Sequence, residues 1–385
     1  MQGFEFYNPT RIVFGAGKIA ELARLVPANA RVLVLYGGGS IKQNGTLDEV
    51  RAALHGHDVR EFGGIEPNPR FETLLQAVEI VKTEQIDFLL AVGGGSVIDG
   101  TKFVAAAARY AGNDPWDILT TFGSTIQDAV PLGSVLTLPA TGSEMNNGAV
   151  ISRAGDDKLF FGSERTFPAF SILDPTKTYT LPPRQIANGA VDAFVHVMEQ
   201  YLTYPAGALV QDRFAEGLLQ TLIEVGPQAL ATPTDYTVRA NLMWSATLAL
   251  NGLIGAGAPQ DWATHMLGHE LTAVYGLDHA QTLAIVLPAM LQVRRADKRA
   301  KLLQYAERVW GLHEGSDDAR IDAAIAHTRD FFERMGNPTH LAAYQIGSDA
   351  VERIVGQLAR HGMTQLGERQ DVTLDVSRRV LEASL

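Results

Sequence analysis

The chain has 385 residues, 46% of them hydrophobic and none of them cysteine, and its 32 Lys+Arg stand against 43 Asp+Glu for a net charge of −11. That length exceeds one ordinary core and points to two domains, and an acidic balance with no basic stripe argues against nucleic acid as a partner. The lack of cysteine excludes disulfides, thiolate-bound metals and cysteine nucleophiles, so any metal must take nitrogen and oxygen ligands.

The opening segment Met1–Thr10 has neither the basic stretch nor the apolar core of a secretory signal. Apolar runs further on are much shorter than a bilayer requires. The expectation is a cytoplasmic protein with no membrane partner.

Short β-branched runs then alternate with helical patterns, the signature of a parallel sheet with flanking helices. Arg31–Tyr36 reads as a strand ending in Gly37-Gly38-Gly39-Ser40, and Asp87–Val92 as a strand ending in Gly93-Gly94-Gly95-Ser96. Between them Leu47–His55 and Phe71–Thr83 read as helices, with a turn at Pro67-Asn68-Pro69 because residues before proline avoid the helical region. A third apolar run, Ser134–Leu138, stops at Pro139-Ala-Thr-Gly-Ser-Glu144.

From about Pro182 long helical patterns replace the alternation, as in Val238–Asn251 and Arg299–Trp310. The reading is an α/β dinucleotide-binding domain over residues 1–178 and an all-helical metal and substrate domain over 179–385, with a cleft between them bringing the two sets of functional residues together.

Glycine turns between strand and helix let backbone N–H groups approach phosphate, and the helix dipole favours the anion. Gly93-Gly94-Gly95-Ser96-Val-Ile-Asp99 is the better candidate, with Ser96 expected to cap the helix; neither loop has the usual dinucleotide fingerprint. NAD enzymes commonly hold the adenosine ribose with a carboxylate. None follows the strand ending at Tyr36, so Gly38, Gly39 and Ser40 are expected to admit the 2′-phosphate of NADP, with Lys42 to neutralise it.

In the second half, Asp192 and His196 are four residues apart, as are His265 and His269, with His279 behind them. On a helix each pair shares a face, so one carboxylate and several imidazoles can converge on a divalent ion. Both pairs sit in apolar surroundings where unsatisfied polar groups would be costly. No Lys or Arg occurs over residues 185–203 or 261–283, which favours a small uncharged substrate. Trp262, Phe194 and Met145 are candidates to line its pocket, and Asn146 to touch it.

Together these segments, with Asn8-Pro-Thr-Arg-Ile-Val-Phe-Gly15 and Thr137-Leu-Pro-Ala-Thr-Gly-Ser-Glu144, resemble the iron-containing, or group III, alcohol dehydrogenase family over essentially the whole chain. Within it the sequence looks most like the branch of NADPH-dependent aldehyde reductases and butanol dehydrogenases. The resemblance implies a dehydroquinate synthase-like architecture, an α/β nucleotide domain joined to an all-α metal domain, and a homodimer assembled partly through the N-terminal strands.

Carried over by position, it implies Asp192, His196, His265 and His279 as ligands of one zinc or iron ion. His269 would face the nicotinamide as the catalytic group without ligating. Gly94, Gly95, Ser96 and Asp99 would hold the pyrophosphate region, Asn68 the adenosine side, and Thr137, Thr141 and Lys158 the nicotinamide half, with Tyr179 and Leu181 as further cofactor contacts. Gly37 stands where many relatives have aspartate, which again points to NADP(H).

The expected activity is reversible NADPH-dependent reduction of short aldehydes. A metal-dependent lyase resembling dehydroquinate synthase is the rival, disfavoured by the lack of basic residues near the metal. A metallohydrolase is a further rival, but Glu270 lies about 100° around the helix from His269, away from the position of a general base. A binding protein without activity would not need such a metal set.

Overall fold

The computed structural model describes residues 1–155 and 157–385. The chain divides into two compact units. One comprises Tyr7–Leu181 with Pro233–Thr247, the other Met1–Phe6 with Pro182–Thr232 and Leu248–Leu385. A single cut between 178 and 179 therefore does not describe the division, because the first six residues group with the helical unit and most of one helix groups with the α/β unit.

In the α/β unit the strands are β1 (Arg11–Phe14), β2 (Arg31–Tyr36), β3 (Asp58–Phe62), β4 (Phe88–Gly94), β5 (Leu132–Leu138), β6 (Gly148–Arg153), β7 (Asp157–Gly162) and β8 (Phe170–Leu173). Six form one sheet in the order β1-β8-β5-β4-β2-β3, every pair parallel. The helices are α1 (Leu22–Leu25), α2 (Ser40–Gln43), α3 (Thr46–Ala53), α4 (Phe71–Thr83), α5 (Gly95–Arg109) and α6 (Asp117–Thr120).

Both faces of the sheet are buried, which is why the strands read as continuous apolar runs. Leu33, Leu35, Leu89 and Ala91 pack with Leu74 and Val78 of α4 and with Phe103 and Val104 of α5. The alternate residues Val32, Val34, Leu90 and Val92 pack on the other side with Ile19, Leu22, Leu47 and Val50. Strand order reverses between β2 and β4, since β2 leads to β3 on one side and β4 to β5 on the other. In such sheets the crevice at the carboxyl ends of the two strands is where a ligand binds. Both glycine segments, 37–39 and 93–95, begin there.

The remaining two strands, β6 and β7, pair as an antiparallel hairpin outside the main sheet. The edge strands β1 and β3, the interior strand β8 and this hairpin were not placed strand by strand from the sequence. They are four to six residues long, too short for a clear periodic pattern, and β3 is largely solvent-facing.

The helical unit contains α7 (Pro183–Tyr201) and α8 (Leu209–Ala231); α9 (Tyr236–Ala249) returns mostly to the first unit. It continues with α10 (Ala263–Tyr275), α11 (His279–Val293), α12 (Arg299–Arg308), α13 (Asp317–Arg334), α14 (Asp349–Arg360), a two-residue hairpin pair β9 (Gln365–Leu366) and β10 (Val372–Thr373), and α15 (Leu374–Glu382). Helix α7 is buried nearly all round from Gly189 to Tyr201 and packs against α8 and α11. Leu267 and Leu271 anchor α10 in a core with Ile285, Val286, Ile354 and Leu381, which turns the opposite face of α10, bearing His265 and His269, away from that core. Among the described residues no helix is long and apolar enough to cross a membrane.

Candidate metal centre and nucleotide loops

Three segments of the helical unit build the metal centre. Asp192 and His196 project from one face of α7, His265 from the first turn of α10, and His279 from the first residue of α11. Asp278 fixes the last of these starts, its side chain accepting from the backbone three residues on while Gln281 answers to the Asp278 N–H, a reciprocal cap.

Asp192 Oδ1 lies 3.6 Å from His196 Nε2, 3.9 Å from His265 Nε2 and 3.8 Å from His279 Nε2. These separations exceed hydrogen-bond length. They are close to the edge of about 3.4 Å expected between ligand atoms set tetrahedrally about 2.0–2.1 Å from a zinc ion. Ligand atoms of Asp192, His265 and His279 all fall within 4.8 Å of one another. His196 completes the set from the side, its ring stacked on that of His265 at 4.7 Å between centroids. Burial pushes the His196 imidazole down to about 4, so it is neutral near pH 7, the form that binds metal. A divalent ion with nitrogen and oxygen preference fits this donor set; the set tolerates iron or zinc.

His269 stands one helical turn beyond His265. Its ring is buried, tilted 5.0 Å from the His279 ring and 6.3 Å from that of His265, so it sits beside the ligand candidates. Trp262, in the left-handed region at φ 65°, caps the start of α10 and sets its indole edge-on to His265 at 5.3 Å and to His196 at 6.3 Å. It therefore borders the site as expected. Phe194 does not: it points to the other side of α7 and packs against Phe331 and Phe332.

Sequence reading missed Glu199. It follows His196 by three residues and Asp192 by seven, so all three share a face of α7, and that spacing was the available signal. Its carboxylate meets His265 Nδ1 and accepts the N–H groups of Thr264 at 2.6 Å and His265 at 3.2 Å. Burial and the neighbouring Asp261 raise the Glu199 carboxyl well above the usual range. Lys298, far off in sequence, closes the arrangement: its buried ammonium is 2.7 Å from Asp261 Oδ2 and donates to the Leu202 carbonyl and to Glu368. The metal neighbourhood thus has a cation after all, but two carboxylates hold it.

In the α/β unit, β4 runs into α5 with no intervening loop. Gly94 is the N-cap of α5 and no side chain caps it, so the expected capping by Ser96 is corrected. Ser96 is the second residue of the helix, and its Oγ accepts the Asn68 N–H at 3.3 Å. Asn68, itself at φ 55°, accepts through Oδ1 from Lys158 Nζ at 2.9 Å. Three residues read separately as cofactor contacts therefore meet.

Gly95 is required by contact. A Cβ there would come within 2.4 Å of Thr141 Oγ1, so the loop after β5 lies directly on the start of α5. A Cβ on Gly94 would meet Leu138 Cβ at 3.0 Å, a milder approach. Thr137, near the end of β5, is buried, and Thr141 Oγ1 accepts from the Ser143 N–H at 3.2 Å.

Asp99 ties the segment after β5 to α5: its two oxygens accept from Ser143 Oγ at 2.6 Å and the Val150 N–H at 2.9 Å. Lys102, one turn on and fully buried, donates to Ser143 Oγ, Asn146 Oδ1 and the Gly148 carbonyl. The Asn146 oxygen is thereby engaged within the protein. Burial pushes the Lys102 ammonium down to about 8, opposed by Asp99 and Glu144.

On the neighbouring strand, Gly37, Gly38 and Gly39 follow β2, and Ser40 opens α2. Space around Gly38 and Gly39 is open to 4 Å, whereas a Cβ on Gly37 would meet the Ile65 carbonyl at 3.2 Å. Lys42 lies with its ammonium 4.9 Å from the centre of the Tyr36 ring. Tyr179 and Leu181 end the α/β segment in a short turn after β8, where the Leu181 N–H bonds to the Thr178 carbonyl.

Residues 9–175 match the family model described as iron-containing alcohol dehydrogenase, and residues 186–379 match the C-terminal model of the Fe-containing alcohol dehydrogenase family. The chain belongs to the iron-containing alcohol dehydrogenase family. Its relatives within that family include the NADPH-dependent aldehyde reductase YqhD of Escherichia coli, 64% identical over 386 residues and covered in full on both sides. NADH-dependent butanol dehydrogenase A of Clostridium acetobutylicum is 39% identical, with 97% of each chain covered.

Among solved structures, the substrate- and cofactor-free form of the E. coli aldehyde reductase YqhD superposes with a TM-score of 0.94 at 62% identity, covering all of both chains. NADH-dependent butanol dehydrogenase A of Thermotoga maritima gives 0.94 at 36% identity, covering 100% and 99%. The expected family, fold class and alcohol dehydrogenase chemistry are thus confirmed.

Proposed function

We propose that the chain catalyses reversible reduction of short, uncharged aldehydes to alcohols, with NADPH as hydride donor and a divalent ion held by Asp192, His196, His265 and His279. The observation that carries the reading is the ring of three imidazole Nε2 atoms around Asp192 Oδ1 at 3.6–3.9 Å, in a chain 64% identical to an NADPH-dependent aldehyde reductase. When bound, the ion supplies Lewis-acid polarisation of the carbonyl and the nicotinamide supplies the hydride.

The protein's own residues do the positioning. Asp192 contributes the one negative charge of the set, and the three neutral imidazoles leave the site short of full neutralisation, which favours an anionic oxygen in the transition state. Trp262 and the apolar body of α7 keep water from the buried side of the centre. His269 is our candidate to pass a proton to the product oxygen, a reading supported by its buried ring beside that of His279.

Substrate charge follows from the same surroundings. Residues 185–203 and 261–283 hold no Lys or Arg, and Lys298 is held by Asp261 and Glu368. Neighbouring Arg184 is paired with Asp278 at 3.3 Å, so the cations near the centre are already matched by carboxylates, which disfavours the lyase reading.

In the α/β unit, Gly94, Gly95 and Ser96 would face the pyrophosphate, with Asn68 toward the adenosine and Lys158, Thr137 and Thr141 toward the nicotinamide, while Tyr179 and Leu181 are further contacts. The open space at Gly38 and Gly39 supports entry of the 2′-phosphate beside Ser40, with Lys42 near it. We also read the protein as a homodimer, a reading supported by the exposed Phe4, Phe6 and Tyr7 of the N-terminal segment, and as cytoplasmic.

Turnover of butyraldehyde with NADPH and, separately, with NADH tests the proposal. NADPH oxidation far faster than NADH oxidation is expected. A clear NADH preference removes the 2′-phosphate assignment, and no oxidation of either cofactor by metal-loaded protein returns weight to the lyase.

A further inference from the structure

We infer that Glu199 is the positioning residue of the metal centre: it fixes the His265 ring so that Nε2 faces the ion, and so sets the affinity and symmetry of the site. This rests on the metal reading above and adds to it a residue that is not itself a ligand.

Three observations carry the inference. The first is contact: the Glu199 carboxylate meets His265 Nδ1, which leaves Nε2 on the side of Asp192 Oδ1. A histidine whose Nδ1–H is held by a carboxylate has one tautomer and one ring orientation, and its other nitrogen becomes a better donor to metal.

The second is that Glu199 holds the backbone as well. It accepts the N–H groups of Thr264 and His265 in the first turn of α10. Those donors have no partner within the helix, and the two Glu199 oxygens supply it. One carboxylate therefore fixes both the ring and the helix start from which the ring projects.

The third is a brace behind it. The Glu199 carbonyl accepts the Asp261 N–H at 2.9 Å, Asp261 Oδ1 accepts the Ala263 N–H at 3.1 Å, and Asp261 Oδ2 pairs with buried Lys298. Lys298 also donates to the Leu202 carbonyl just past the end of α7. Residues 261–265 are thus tied to the C-terminal turns of α7 at four points. The ligands on α7 and the ligand on α10 keep their spacing because of these ties.

The test compares wild type, Glu199→Gln and Glu199→Ala, each stripped of metal and titrated with Co2+ against a chelator while the visible cobalt spectrum is recorded. Thermal unfolding of the metal-free proteins is measured alongside. The expected result is Co2+ affinity weakened about 10–100-fold in Glu199→Ala. Its cobalt bands should be shifted or weakened, and Glu199→Gln should fall between it and wild type, because an amide oxygen can still accept from His265 Nδ1.

Wild-type affinity and spectrum in both variants would overturn the inference, whatever their unfolding temperatures. If Glu199→Ala does not fold, Glu199→Gln decides: weaker binding with altered bands upholds the assignment, and unchanged binding and bands refute it. Failure of the wild type to bind Co2+ would refute the metal reading itself.

Discussion

His196 and His265 reach one carboxylate oxygen from two different helices, their rings stacked 4.7 Å apart and their Nε2 atoms 3.6 and 3.9 Å from Asp192 Oδ1. A carboxylate and imidazoles so placed in an apolar interior are unfavourable unless a cation satisfies them together.

The ligand set and its neighbour should separate cleanly. Asp192→Ala is expected to abolish stoichiometric metal binding and, with it, aldehyde reduction. His269→Ala should keep full metal content while lowering kcat by about 10²–10⁴-fold, the usual contribution of a proton-transfer group. Metal analysis of the two purified variants beside their kinetics checks both statements; loss of metal in His269→Ala would make it a ligand.

Cofactor choice is expected to turn on Gly38. A Cβ there meets nothing within 4 Å, and Gly38 is not among the glycines with positive φ, so Gly38→Asp should fit without strain. A carboxylate beside the 2′-phosphate repels it and offers the NADH ribose a hydrogen-bond acceptor. KM for NADPH should rise about tenfold or more, given a like-charge interaction worth roughly 1–4 kcal/mol across water-like to intermediate dielectric. KM for NADH should fall. Initial rates with both cofactors read this directly.

The crossing of β4 into α5 gives a packing prediction. Gly95→Ala places a methyl 2.4 Å from Thr141 Oγ1. The overpacking should cost about 1–3 kcal/mol of stability and weaken NADPH binding. Thr141→Ala in the same chain removes the nearest atoms and should recover much of the stability, a coupling visible in a double-mutant cycle of denaturation midpoints.

Lys102 makes stability depend on pH in the alkaline range. Its ammonium titrates at the ordinary 10.5 in the unfolded chain but at about 8 when buried. Between those values the unfolded state binds more protons, so the Lys102 contribution to stability increases as pH rises from about 8 to 10.5. Lys102→Met should abolish that increase. It should also lower stability near neutral pH by about 1–3 kcal/mol, since Ser143 Oγ, Asn146 Oδ1 and the Gly148 carbonyl lose their buried donor. Urea midpoints for both proteins at pH 7.5 and 9.5 test the difference.

Legibility followed burial and periodicity. Strands β2, β4 and β5 are buried on both faces and so appear as apolar runs, and α4 was placed at Phe71–Thr83, as observed. The metal ligands were legible because helical spacing alone puts Asp192 with His196 and His265 with His269. Glu199 escaped because its partners, Thr264 and His265, are 65 and 66 residues away and no local pattern links them. Lys298 and Asp261 are likewise separated by more than any local pattern spans. The structural part of Asp99 was hidden for a related reason: its hydrogen bonds to Ser143 and Val150 become visible only once β6 is folded against α5.

The most direct test of the account is titration of Zn2+ or Fe2+ into metal-stripped protein while NADPH oxidation by butyraldehyde is followed, for wild type and for Asp192→Ala. The account predicts activity rising to a plateau at one metal per chain in the wild type and none at any metal concentration in Asp192→Ala. Full activity in the metal-stripped wild type, or equal activation of Asp192→Ala, would contradict it.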